Sequence, residues 1–173
     1  MSGLAATIRT TLGKLSCLIT SGSRGWADYY SETGALFLRM TNLPKEGIKL
    51  LLHDNKYVSL PSISSEGKRT SVRQNDILIS ITAELGKIGF IESDLGDAYV
   101  NHHIALVRIS SPKAYPKFVA YYLAETHRSN LWQRLNDSGA KAGLNLQTIS
   151  KYPVTFPSLK QQIAVAEILS TGT

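Results

Sequence analysis

The chain has 173 residues, 43% of them hydrophobic, enough to bury one core of single-domain size. Nineteen Lys plus Arg against thirteen Asp plus Glu leave a formal charge of +6, which draws polyanions toward the surface. The lone cysteine, Cys17, excludes an intrachain disulfide framework and a Cys-rich zinc site, and no apolar run approaches the roughly 20 residues that span a bilayer.

Residues 1–11 are small and polar and read as a tail, with the fold beginning near Leu12. From Gly22 to Gly34 a Gly-, Ser- and Tyr-rich stretch carries Arg24, Trp26, Tyr29 and Tyr30 and predicts a long loop between strands. Trp26, a single Trp beside a Gly, is expected to pack and not to stack on a base. Short extended segments follow at Ile48 to Leu52 and at Tyr57-Val58, then a polar, breaker-rich stretch from Pro61 to Ser71. The continuous apolar run Ile77 to Ile81 predicts a buried strand, and Gly86-Lys87-Ile88-Gly89 a turn. Past an acidic turn at Glu92 to Asp97, the residues from Tyr99 to Ile109 read as one long extended run.

Pro116 suits the first turn of a helix, with Phe118, Val119, Tyr122, Leu123, Leu131, Trp132 and Leu135 near one face and Gly139 as its stop. Gly139 to Gly143 forms a flexible basic loop, Leu146 to Lys151 one helical turn, and Val154-Thr155-Phe156 a last strand. Ser158 and Gln161 then make a capping box that specifies a helix start. Leu159, Ile163, Ala166 and Leu169 recur at helical spacing, a stripe that needs a partner helix because a helix this short is marginal alone. The order of elements predicts an α+β domain over residues 12–157, with residues 158–173 the start of a longer helix.

Catalytic motifs are missing. The sequence has no phosphate loop, no Gly-x-Gly-x-x-Gly opening a helix, no His-Glu-x-x-His and no Asn-Pro-Pro-Tyr. Asp76, Glu84 and Lys87 sketch the carboxylate-plus-lysine pattern of metal-dependent nucleases, but Glu84 and Lys87 are one residue too far apart for Glu-x-Lys. His102 and His103, read as neighbours on a strand, would point to opposite faces and not share an ion. No metal site is predicted.

Nucleic-acid chemistry fits better. Arg pairs bidentately with guanine, Asn with adenine, and Lys neutralises phosphate. One loop supplies Ser21, Ser23, Arg24, Tyr29 and Tyr30; a second supplies Lys141 and Asn145 among small neighbours that leave backbone N–H groups accessible. Lys68, Arg69, Arg73 and Lys87 are phosphate candidates, while Arg24 and Asn145 are candidates for base readout. For any one of these residues, solvated surface charge is the competing reading.

Four segments together resemble the target recognition domain of a Type I restriction-modification specificity subunit. They are Thr20-Ser21-Gly22-Ser23-Arg24-Gly25-Trp26, Asn75-Asp76-Ile77-Leu78-Ile79-Ser80, Gly143-Leu144-Asn145-Leu146, and Pro157-Ser158-Leu159-Lys160-Gln161-Gln162-Ile163 with Ile168-Leu169. Asn75 stands where the family usually has Gly, and Asn tolerates the left-handed turn such a Gly makes. The resemblance implies a non-enzymatic reader of duplex DNA that recognises one half of a bipartite site. It also implies a spacer helix after Pro157 that packs on the helix of a second recognition domain or a second copy. Modification subunits using S-adenosylmethionine and restriction subunits using ATP and Mg would be the partners, so no cofactor is expected in this chain. A cytoplasmic location is expected, since one cysteine suits a reducing compartment. The alternatives are a recognition domain fused to a restriction-methylation enzyme, a helix-mediated docking module, and a small nuclease.

Overall fold

The computed structural model describes residues 7–22, 24–61, 65–128, 131–135 and 143–172. In chain order the elements are β1 (Ile8–Thr11), α1 (Leu12–Leu15), β2 (Ser16–Ser21), a 3-10 turn (Trp26–Tyr29), β3 (Tyr30–Ser31), β4 (Ala35–Leu38), a second 3-10 turn (Met40–Asn42) and β5 (Lys56–Val58). There follow α2 (Ser65–Thr70), β6 (Ile77–Ser80), β7 (Ile88–Phe90), β8 (Ala98–Val100), β9 (Ile104–Ile109), α3 (Pro116–Arg128), α4 (Leu131–Arg134), α5 (Leu146–Ser150), β10 (Pro153–Phe156) and α6 (Leu159–Thr171). Among the described residues no helix is long and apolar enough to cross a membrane.

The architecture is α+β. One sheet, in the order β2-β9-β6-β7, is antiparallel throughout; a second, β3-β5-β4-β8, is antiparallel except where β4 runs parallel to β8. The continuous apolar run in β6 arises because both faces of the first sheet are covered. Ile77 and Ile79 face a core completed by Leu123 of α3, Trp132 of α4 and Tyr152, while Leu78 joins Leu36, Leu38 and Val100 of the second sheet. β9 alternates in the same way, with Ala105 and Val107 on the helix side and Ile104 and Leu106 between the sheets. Trp26 packs with Phe37 and Val58 in a third, smaller core, as the sequence predicts. Asn75 adopts φ 72°, the left-handed turn expected of it. Gly86, at φ 81°, lies so close to the Trp132 ring that a side chain there would collide with it.

Four expectations about elements need correction. Residues 8–11, assigned to the tail, form β1 and pair antiparallel with β10, Ile8 opposite Phe156 and Thr11 opposite Pro153. The partner strand lies at the far end of the chain, so no local pattern signals the pairing. The extended run from Tyr99 to Ile109 is two strands in different sheets, because the Asn101 side chain accepts the His103 backbone N–H (3.0 Å) and turns the chain. α2 forms inside the breaker-rich stretch, and the helix from Pro116 is two elements, α3 and α4, with the Trp132 indole N–H donating back to the Leu123 carbonyl at 3.3 Å. Gly139, the predicted stop, lies outside the described residues.

Candidate nucleic-acid interface

One end of the first sheet gathers four chain segments. Ser21 is opposite Ala105 and Ser80 is opposite Ile104, so the ends of β2 and β6 and the start of β9 share that end. Val100, opposite Leu38, brings the second sheet to the same place, where the Asn101–His103 turn crosses between sheets. The turn is tied on both sides: Asn101 N–H donates to Leu38 O (3.1 Å) and Ile81 N–H donates to His103 O (3.0 Å). Gly22 sits against Val100 O and Asn101 so closely that no side chain fits, which fixes where the Arg24 loop departs. On the other flank Leu144 N–H donates to Ile81 O (2.9 Å), and Gly143 bridges to Thr82. The loop bearing Arg24 and the segment beginning at Gly143 therefore meet one end of one sheet, separated by the Asn101–His103 and Thr82 turns.

Arg24 is exposed there, and Lys68 is exposed on α2. Arg69 donates to Thr20 Oγ1 (2.9 Å) and Ser21 O (2.5 Å) and pairs with Glu66 (2.6 Å), so it clamps α2 to the end of β2 while remaining partly exposed. Ser21 is half-buried beneath that clamp. Ser23 and Lys141 lie outside the described residues. Tyr29 and Tyr30 are exposed, but Tyr30 pairs with Val58, so they lie a strand length from Val100 along the second sheet.

Two site expectations are corrected, those on Lys87 and Arg73, and Asn145 has a second role. Lys87 is only 8% exposed and pairs with Glu84 at 2.5 Å, a buried ammonium held by its own hairpin and unable to reach a phosphate. Asn145 is exposed and also has a structural role as the N-cap of α5, its Oδ1 accepting Thr148 N–H at 2.8 Å. Arg73 precedes Asp76 at the opposite end of β6, about 13 Å from the gathered loops by strand rise. The same separation removes the nuclease reading. Asp76 is fully buried and receives Arg108 Nε (2.8 Å) and Nη2 (2.7 Å), whereas Glu84 lies beyond Ser80 at the other end.

The apolar stripe of α6 is also redistributed. Ala166 is fully buried, Ser170 Oγ lies 3.3 Å from the Tyr121 hydroxyl, and Ile163 is half-buried, so this face packs on α3 and is not open to a partner. Leu159 and Leu169 stay exposed, joined by Val165 and Ile168. The start of α6 is as predicted: Gln161 Oε1 accepts Ser158 N–H at 3.3 Å and Oγ–H at 2.9 Å.

The two histidines do not sit as the divergent strand neighbours that the sequence predicts. Placed in a turn, His102 and His103 lie together, ring centroids 3.8 Å apart, and His103 Nδ1 is 2.7 Å from Thr82 Oγ1. Burial, then His103, then Arg24 hold the His102 pKa below its ordinary value, which puts Arg24 within electrostatic reach of the ring. Asn101, able to turn the chain through its side chain, was the available signal. Among the described residues no three His, Cys, Asp or Glu side chains are grouped to hold a metal.

The fold is a mixed α+β body of three sheets with basic loops at one end of one sheet. The chain belongs to the Type I restriction modification DNA specificity domain family, whose model matches residues 41–172. Over 102 residues it is 30% identical to the Type I restriction enzyme EcoBI specificity subunit of Escherichia coli, covering 58% of this chain and 21% of that protein. Its fold is similar to a chain solved in work on assembly and conformational transition of the type I R-M system (TM-score 0.70, 17% identity, 95% of this chain, 37% of the other). It is also similar to the HsdS subunit of Thermoanaerobacter tengcongensis (0.66, 17%, 95% and 36%) and to the S subunit of M. genitalium (0.68, 13%, 99% and 40%). The chain thus spans about a fifth of the curated relative and well under half of each solved one.

Proposed function

We propose that this chain is a target recognition domain that binds duplex DNA and reads one half of a bipartite site for a Type I restriction-modification enzyme. The convergence of the Arg24 loop, the Asn101–His103 turn and the segment entering at Gly143 on one sheet end is the observation that carries this reading. Loops from separated parts of the chain, cationic and glycine-bearing, form a surface that can follow a groove while a rigid sheet holds them. Arg24 is the candidate for base readout, with Lys68, the partly exposed Arg69 and Lys141 as phosphate contacts.

The domain acts without catalysis of its own. Modification subunits supply methylation with S-adenosylmethionine, and restriction subunits supply ATP- and Mg-dependent cleavage, all in the cytoplasm. Residues 12–157 with the added strand Ile8–Thr11 form the recognition body, and α6 is the spacer that meets a second recognition domain or a second copy. The outward Val165, Ile168 and Leu169, with Leu159, support that role for α6.

Fluorescence anisotropy of a labelled random-sequence duplex, followed as salt is raised, tests the reading. A linear fall of log affinity with log salt is expected from counterion release, weakened in Arg24→Ala. Absence of binding at low salt would overturn it.

A further inference from the structure

The Asn101–His103 turn lies at the sheet end shared by the Arg24 loop and Gly143, and its chemistry differs from that of the Arg24 loop. Both imidazoles are half-buried, and their rings lie together in the turn where strand neighbours would diverge. Thr82 Oγ1 engages Nδ1 of His103, which leaves Nε2 as that ring's available nitrogen. The charged groups acting on His102 are His103 and Arg24. On the adjoining elements, Arg69 of α2 is paired with Glu66, and Glu84 of the β6–β7 turn with Lys87. Arg24 is thus the cationic side chain acting on the pair, with the carboxylates of Glu66 and Glu84 already engaged.

His102 holds its proton more weakly than usual, because burial and the neighbouring His103 and Arg24 disfavour its charged form. An anion seated over the cluster opposes both effects, because an opposite charge beside the ring favours the imidazolium. A phosphodiester is the anion that duplex DNA brings to this end of the sheet, and a neighbouring Arg24 would share its charge.

We propose that His102 and His103 form a proton-linked phosphate contact beside Arg24, so that docking the DNA backbone on the Asn101–His103 turn takes up a proton from solvent. The proposal rests on the DNA-binding reading above. In the free protein the His102 imidazole becomes charged at a lower pH than an ordinary histidine; against phosphate it becomes charged at a higher pH. Between those two values Kd falls as pH falls, and above the higher value Kd is flat.

The test is anisotropy of the whole chain with a fluorescein-labelled random-sequence duplex at fixed salt, titrated from about pH 8 to about pH 6. The wild type is expected to tighten about fivefold over that range, the ceiling for one proton being about tenfold per pH unit. The His102→Gln/His103→Gln double variant is expected to lose most of that dependence, and His102→Arg, permanently charged, to bind tightly near pH 8 with little dependence left. The last variant gains affinity, which misfolding cannot imitate. Salt-sensitive binding that ignores pH in the wild type, or a double variant that keeps the wild-type slope, would overturn the histidine contact and leave the DNA reading standing. No binding at any salt or pH would overturn the DNA reading and the contact with it.

Discussion

The side chain of Gln162 accepts the backbone N–H of Tyr115 at 2.8 Å, tying the first turn of α6 to the segment that leads into α3. Its Nε2 donates to Lys113 O (2.9 Å) and Pro157 O (3.0 Å), so a fully buried amide satisfies one donor and two acceptors of other segments. The direction in which α6 leaves the domain is set here, since Ala166 and Ser170 then follow on the same face against α3. Gln162→Leu removes the side-chain partner of three part-buried backbone groups, and a loss of about 2–4 kcal/mol in urea unfolding is expected. Gln161→Ala, which removes only an exposed helix-start contact, is expected to lose about 1 kcal/mol. Equal losses would show that the buried amide does not anchor α6.

Asp76 and Arg108 form a bidentate pair, reinforced by Arg73 N–H to Asp76 Oδ2 (2.7 Å) and Arg108 Nη2 to Ser71 O (3.2 Å). Because Asp76 is wholly buried, Asp76→Ala strands a guanidinium and is expected to destabilise by about 3–5 kcal/mol. The double variant Asp76→Leu/Arg108→Met removes both charges and is expected to recover much of that loss. A double variant no more stable than Asp76→Ala would refute the stranded-charge account.

Arg24 and Arg69 separate contact from support. Arg24→Ala is expected to weaken DNA binding, by about 1–3 kcal/mol at the cognate site if it reads a base, with the melting temperature unchanged, because its side chain is exposed. Arg69→Ala releases Thr20 and Ser21 and is expected to lower both affinity and melting temperature. Lys87→Ala is expected to leave the salt dependence of binding unaltered, its ammonium being turned toward Glu84. A shallower salt slope in Lys87→Ala would place that residue on the phosphates after all.

Burial pushes the Tyr152 phenol up to about 12, Tyr122 adding to the shift and a Thr126 contact opposing it. A group raised above its unfolded value of 10.0 contributes stability that is complete below that pH and is lost as pH rises through about 12. The wild type is therefore expected to lose on the order of 2 kcal/mol more than Tyr152→Phe across that alkaline interval. Parallel stability profiles for the two proteins would count against the burial of the phenol.

Much of the architecture was legible in the sequence because its signals are local. The Ile77–Ile81 run, Pro116 at a helix start, and Ser158 with Gln161 each act within one or two turns or a single strand, and each element begins where read. Asn75 in a left-handed turn and Trp26 in a core follow from backbone sterics and ring size. Tertiary structure decided the rest. Ile8–Thr11 became a strand only by meeting Pro153–Phe156, and the Tyr99–Ile109 run was divided because its halves pair in different sheets. Lys87, Asn145 and Ala166 have the residue types of a binding surface, yet a hairpin carboxylate, a helix N-terminus and α3 engage or bury them. His102 and His103 moved the other way, from strand neighbours to a paired cluster beside Arg24. Residue type sets which chemistry a side chain can perform; whether that chemistry faces solvent depends on partners far away in the chain, which only the fold brings together.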